Sequence, residues 1–188
     1  MKGMFYYLSK LILWLGGWKV SAKIPENTKK AVMIAAPHTS NWDLVWARAA
    51  FYILKIPVRY TVKKELLKGP LKWILNGFGA IGIDRTHKKG KKQSMTEAMI
   101  QLFDERDELV ILITPEGTRS YQPEWKSGFY RIAEGAGVPI LCGYLDYENK
   151  IAGVGPSFEA KGDMHQNIEK IKDFYRPIKG KFPEQGVR

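Results

Sequence analysis

AVMIAAPHTSNWDLVWARAAFYIL, residues 31–54, decides how the rest of the chain is read. Ala31 to Ala36 is an unbroken apolar run bounded by a proline, the pattern of a strand. Trp42 to Leu54 has helical length and composition, with Ser40 or Asn41 placed to cap its start. Between them lies a polar loop that holds a histidine, His38, and the helix's first turn holds a carboxylate, Asp43.

The same alternation continues outward. Val58 to Val62, Gly79 to Ile83, Leu109 to Thr114, Val138 to Leu145 and Ile151 to Val154 read as further strands. Lys64 to Leu75, Ser94 to Glu105, Ser127 to Ala136 and Met164 to Tyr175 read as helices, and Ser94 with Glu97 matches a capping box. Strands and helices taken in turn predict an α/β fold: a single layered domain with a mostly parallel central sheet flanked by helices. In such sheets chemistry gathers where strand ends meet helix starts, so polar residues just after an apolar run carry the most interest.

The chain's 188 residues and 45% apolar content suit one core, and no repeat, low-complexity tract or long linker divides it. Thirty Lys and Arg against nineteen Asp and Glu give a formal charge of +11, which favours an anionic partner. Charge alone does not separate nucleic acid, an acidic membrane face and a polyphosphate substrate. The single cysteine, Cys142, forms no internal disulfide and reads as a small buried hydrophobe, which permits a reducing, cytoplasmic setting.

Met4 to Trp18 is apolar but broken by Ser9 and Lys10 and too short to span a bilayer comfortably. It predicts an interfacial helix, with Trp14, Trp18, Lys19 and Lys23 as headgroup-level anchors. The alternative is a helix docked in the protein's own core. A signal peptide is disfavoured, because no A-x-A-like cleavage site follows.

Three polar segments follow strands. In the first, an Asp five residues after His38 can fold back onto the imidazole and fix its tautomer, leaving the other ring nitrogen to take a proton from a hydroxyl. Taken alone, that spacing is weak, and an ordinary turn histidine is the better reading of it. The second, Thr114 to Ser120, has a Gly-containing turn with exposed N–H groups and Arg119 as a planar fork for phosphate oxygens. A structural salt bridge of Glu116 with Arg119 or Arg85 is its plainer reading. The third, Gly79 to Arg85, ends in an Asp-Arg pair ahead of the basic loop Thr86 to Lys92, as a phosphate ligand or a surface ion pair.

Together the segments resemble the glycerolipid acyltransferase family, whose best-known members are the 1-acylglycerol-3-phosphate acyltransferases. The likeness rests on HTSNWD at 38–43, GAIGIDR at 79–85, PEGTRS at 115–120 and the apolar VPI at 138–140, in the family's order. Trp125-Lys126-Ser127-Gly128 resembles the family's Phe-Lys-x-Gly stretch. A string as long as PEGTRS arises by accident in such a chain with odds on the order of one in a hundred thousand or less. Trp42, Gly82 and Thr114 depart from the usual pattern and bear on the acceptor more than on the chemistry.

The resemblance implies a catalytic dyad of His38 and Asp43. It implies that Arg85, Glu116, Gly117, Thr118, Arg119 and Lys126 hold the phosphate-bearing acceptor, and that Val138, Pro139 and Ile140 help shape the acyl or acceptor pocket. The implied reaction moves a fatty acyl group from acyl-CoA or acyl-carrier protein to the hydroxyl of a lysophospholipid, with 1-acylglycerol-3-phosphate the first choice and phosphatidic acid the product. No metal or cofactor is implied beyond the acyl donor as co-substrate. No GxSxG elbow occurs, so direct transfer is expected over an acyl-enzyme. Residues 1–22 would then be a membrane-interface segment and 23–188 the acyltransferase domain, peripheral on the cytoplasmic side of the membrane.

Rival readings are a different lysolipid acceptor, such as a lyso-aminolipid or glycolipid, a thioesterase on the same frame, and a non-catalytic basic protein that binds lipid or nucleic acid. Nucleic acid is not the expected partner, because the basic residues do not interleave with aromatics as a single-strand platform requires.

Overall fold

A computed structural model describes residues 2–25, 28–63, 67, 71–77, 79–83 and 94–188. Its centre is a seven-stranded sheet with order β1-β7-β6-β2-β5-β3-β4. The strands are β1 (Lys19–Ala22), β2 (Lys30–Ala35), β3 (Val58–Lys63), β4 (Ala80–Ile83), β5 (Leu109–Ile113), β6 (Ile140–Asp146) and β7 (Ile151–Phe158). All pairs are parallel except β6 with β7, which a short turn joins as a hairpin. The fold is therefore α/β with a mostly parallel sheet, as the alternation of segments predicts.

Six α-helices accompany the sheet among the described residues: α1 (Lys2–Leu15), α2 (Asp43–Leu54), α3 (Leu71–Gly77), α4 (Met95–Asp104), α5 (Gly128–Ala136) and α6 (Met164–Tyr175). β2 is central, and its side chains alternate between two layers. Val32 and Ile34 join Ile111, Ile140 and Cys142 under α4, α5 and α6, where Phe103, Phe129, Tyr130 and Tyr175 fill the core. Ala31 and Met33 face the other way, with Val58, Val110 and Leu141, under Phe51 of α2. Cys142 is fully buried and its thiol is pushed up to about 12 by that burial, so it packs as an inert apolar residue.

The Ser94–Glu97 capping box forms: Glu97 N–H donates to Ser94 Oγ at 3.1 Å, and Ser94 N–H to Glu97 Oε2 at 2.8 Å. The start of α2 differs from expectation. Trp42 occupies the N-cap position without a side-chain cap, and Ser40 Oγ instead accepts the Trp42 N–H at 3.2 Å. The expected helix over 64–75 is seen as α3 at Leu71–Gly77, and residues 64–66 and 68–70 lie outside the described ones.

The N-terminal segment docks on the protein and leaves an apolar side exposed. α1 runs antiparallel to α2, with Phe5 stacked on Tyr52 at 5.7 Å and Trp18 stacked on Trp46 at 5.3 Å. Leu13 and Ser9 are buried there, while Tyr7, Leu8, Leu11, Trp14 and Leu15 are exposed. Trp18 is not a headgroup anchor, because it is 5% exposed and packs inside the protein. Nor does a segment boundary fall at residue 22: Lys19–Ala22 pairs in parallel with β7 and belongs to the sheet. No helix among the described residues is long and apolar enough to cross a membrane.

Candidate active site

β2 and β5 are parallel neighbours, with Ile34 opposite Ile113, so the loops that follow them leave the sheet at the same edge. That register brings the His38 loop and the Thr114–Ser120 turn together although they are far apart in sequence. Pro37, reached through a cis peptide bond, leads into His38.

The first turn of α2 carries Asp43 back over the loop. His38 Nδ1 lies 3.0 Å from Asp43 Oδ2, and the same oxygen accepts the N–H groups of Thr39 and Ser40, each at 3.1 Å. The second oxygen, Oδ1, accepts the Tyr147 hydroxyl at 2.6 Å. All of these partners are donors when the imidazole proton sits on Nδ1, the tautomer that a carboxylate partner selects. Nε2 is then the nitrogen available to a reacting hydroxyl. Asp43 is 6% exposed, so its orientation is set by the protein rather than by water.

Glu116 is also 6% exposed, and its Oε2 accepts the His38 backbone N–H at 3.0 Å. Burial pushes its carboxyl up to about 7, against the lowering effect of that hydrogen bond and of the His38 charge, with Asp43 raising it further. The contact ties the two loops together. The resemblance implies an acceptor-binding Glu116, whereas here its carboxylate is turned inward onto the histidine loop.

Gly117 supplies the left-handed turn, with φ +66, and a Cβ at this position would collide with Lys126 Nζ. The Lys126 N–H donates to the Pro115 carbonyl at 2.9 Å, so the two segments form one unit with the lysine laid over the turn. Thr118 and Arg119 follow on the same turn, and Thr118 Oγ1 accepts the Ser120 N–H at 3.4 Å. Arg119 is exposed. Arg85, and the basic loop 86–92 with it, lies outside the described residues.

A cavity of about 510 Å³ lies between α2 and the sheet. Leu44, Ala47, Phe51 and Leu54 of α2 face Leu112 and Leu145 across it, and His38, Asp43 and Arg119 contribute to its wall. Because Arg119 is exposed, the cavity reaches the surface beside the turn.

Val138, Pro139 and Ile140 do not border this cavity. Val138 and Ile140 are buried on the opposite side of the sheet, under α4, α5 and α6, and the Pro139 carbonyl accepts the Val32 N–H at 3.0 Å. For Val138 and Ile140 the implied pocket role is therefore corrected to a core role, because both lie in the cluster on the face of the sheet away from α2. One side of the cavity comes from α2, whose apolar face reads in sequence as ordinary core. Tyr147 is the other residue missed; it directly follows β6, where the preference for polar residues after a strand points.

Among the described residues no group of three or more His, Cys, Asp or Glu side chains comes together as a metal centre requires. What the arrangement offers is a base with a fixed tautomer on the wall of a largely apolar cavity, next to exposed positive charge.

No curated protein matches the chain. In fold it is similar to the crystal structure of the 1-acyl-sn-glycerophosphate (LPA) acyltransferase PlsC from Thermotoga maritima, with a TM-score of 0.59 and 15% identity, over 92% of this chain and 76% of that one. Residues 19–144, which hold His38, Asp43 and the Glu116–Arg119 turn, match the family described as Acyltransferase, and the chain belongs to that family.

Proposed function

We propose that the protein is an O-acyltransferase that acylates the free hydroxyl of a lysophospholipid, with 1-acylglycerol-3-phosphate as acceptor and phosphatidic acid as product. The observation that carries this reading is the 3.0 Å contact of His38 Nδ1 with Asp43 on the wall of a 510 Å³ apolar cavity. His38 Nε2 takes the acceptor hydroxyl proton as the oxygen attacks the thioester carbonyl. The tetrahedral intermediate then expels the thiolate, which recovers the proton from the imidazolium. Asp43 stabilises that imidazolium while it exists, and no protein nucleophile is consumed.

The apolar cavity suits a fatty acyl chain, whose transfer from water is favourable in proportion to the area buried. Arg119 and Lys126 supply positive charge for the acceptor phosphate, with Arg85 as a third candidate from the sequence. The acyl donor is acyl-CoA or acyl-carrier protein, both anionic and both matched by the +11 formal charge. We place the protein peripherally on the cytoplasmic face of a membrane, through the exposed apolar side of α1.

The test is thiol release from an acyl donor, measured with and without a panel of lysolipids. Acceptor-dependent release with lysophosphatidic acid is expected, and His38→Ala should lower kcat by about 10²–10⁴-fold, the range of a lost general base. Release that ignores the acceptor would make the enzyme a thioesterase. Turnover confined to phosphate-free lysolipids would overturn the acceptor while retaining the chemistry.

A further inference from the structure

Asp43 has two carboxylate oxygens, and the histidine loop occupies only one of them. Oδ2 accepts from His38 Nδ1 and from two backbone N–H groups, while Oδ1 accepts the Tyr147 hydroxyl at 2.6 Å. The χ2 torsion of an aspartate is broad and weakly restrained on its own. Donors on both oxygens restrain the carboxylate plane, and with it the direction in which Oδ2 meets the imidazole. Burial, and the hydrogen bond to Asp43, raise the Tyr147 pKa, so its hydroxyl stays protonated and remains a donor.

Tyr147 is in turn held from two sides. Its N–H donates to the Lys179 carbonyl at 2.8 Å. Its ring meets Trp18 edge-on, with centroids 4.9 Å apart. Trp18 is locked to the end of α1 by its N–H, which donates to the Leu13 carbonyl at 2.8 Å, and it stacks on Trp46 of α2. A chain of contacts therefore runs from the N-terminal helix to the free side of the carboxylate.

We infer that Tyr147 is a positioning residue that fixes the plane of Asp43, and that Trp18 at the end of α1 braces it, an inference that rests on the acyl-transfer reading of the same site. Tyr147 acts through Asp43 and not on the reacting atoms. The seating of α1 is thereby felt at the His38–Asp43 pair.

The experiment is an NMR titration of the His38 imidazole in the full chain, assigned by its loss in His38→Gln, together with steady-state kinetics. Tyr147→Phe keeps the ring against Trp18 and removes only the hydroxyl. The groups that face His38 directly, Asp43 at Nδ1 and Glu116 at the backbone N–H, are untouched. With the donor gone, negative charge concentrates on Oδ2, and the His38 resonances are expected to titrate at higher pH in the variant than in wild type. The kcat should fall about tenfold with KM unchanged, the size of one hydrogen bond of ordinary net strength.

An unmoved His38 titration in Tyr147→Phe overturns the inference. Trp18→Phe tests the brace: a smaller shift in the same direction supports it, and an unchanged titration removes it, even if Tyr147→Phe does not fold. Since the titration needs no substrate, a shifted His38 in a protein that transfers no acyl group would retain the role of Tyr147 and refute the acyl-transfer reading. Normal transfer with an unmoved titration would do the reverse.

Discussion

Glu116 shows how a single residue in a recognisable motif can do something its motif does not announce. A carboxyl that is 6% exposed lacks the hydration that would stabilise its charge, and the hydrogen bond from the His38 N–H returns only part of that. Its pKa therefore rises from 4.5 to about 7 on folding. Between those pH values the folded protein binds more protons at this site than the unfolded chain does. The stability contributed by the neutral form is full below pH 4.5 and is lost as the pH rises through about 7. At about 1.4 kcal/mol per unit, the loss is on the order of 3 kcal/mol. Glu116→Gln keeps a carbonyl acceptor for the His38 N–H and cannot ionise. Its melting temperature should match wild type at low pH and exceed it increasingly toward pH 8; a difference that stays constant with pH would refute this account.

At the scale of elements, α2 has two tasks, because it delivers Asp43 at its start and roofs the cavity with the rest of its length. Small residues make the second task possible. Ala47 sits on the cavity wall between Leu44 and Phe51, where a larger side chain would take space from the ligand. Ala47→Phe should therefore reduce kcat/KM for long acyl donors by about tenfold, while short donors lose much less, since two or so displaced methylenes cost about 0.8 kcal/mol each. Equal loss at every chain length would place the acyl group elsewhere. α2 also marks how far local sequence reading reaches. The apolar run before Pro37 and the spacing of His38 and Asp43 are local facts, and so the strand, the helix and the pairing of the dyad were legible. Glu116 bonds to a residue 78 positions away and Tyr147 to one 104 away, so only the parallel register of β2 with β5 and the position of β6 disclose them. β1 was missed for a related reason: Lys19–Ala22 is short and largely exposed, without the apolar run that marks β2, and it is a strand only because β7 lies beside it. Val138 to Ile140 erred in the opposite direction, since an apolar strand start looks the same in sequence whichever face of the sheet it serves.

For the molecule as a whole, the proposed placement at a membrane rests on the arrangement of α1 against α2. α1 leaves Tyr7 71%, Leu8 47%, Leu11 49%, Trp14 74% and Leu15 71% exposed on the side away from α2. At the start of α2, beside the His38 loop, Trp42 is 53% and Leu44 56% exposed. Trp42 stacks on Trp46, and Trp46 on Trp18, so the end of α1 that carries Trp14 and the start of α2 lie at one end of the molecule. A lipid surface covering both would put the cavity next to its substrates, and Lys181, whose Nζ lies 5.5 Å above the Trp42 ring, would meet anionic headgroups there. Each large apolar side chain moved out of water contributes about 1.5–3 kcal/mol. The double variant Leu11→Glu with Trp14→Glu should thus weaken co-sedimentation with anionic vesicles on the order of 100-fold, with the far-UV circular dichroism of wild type. Raising the salt should weaken the wild type as well, because its basic share of the attraction is screened. Thiol release with a short-chain, water-soluble acceptor should survive in the variant, since both substituted residues point away from α2 and the cavity. Vesicle binding that persists at wild-type strength would mean that α1 serves only to hold Trp18 against Tyr147, and that another face of the protein meets the lipid.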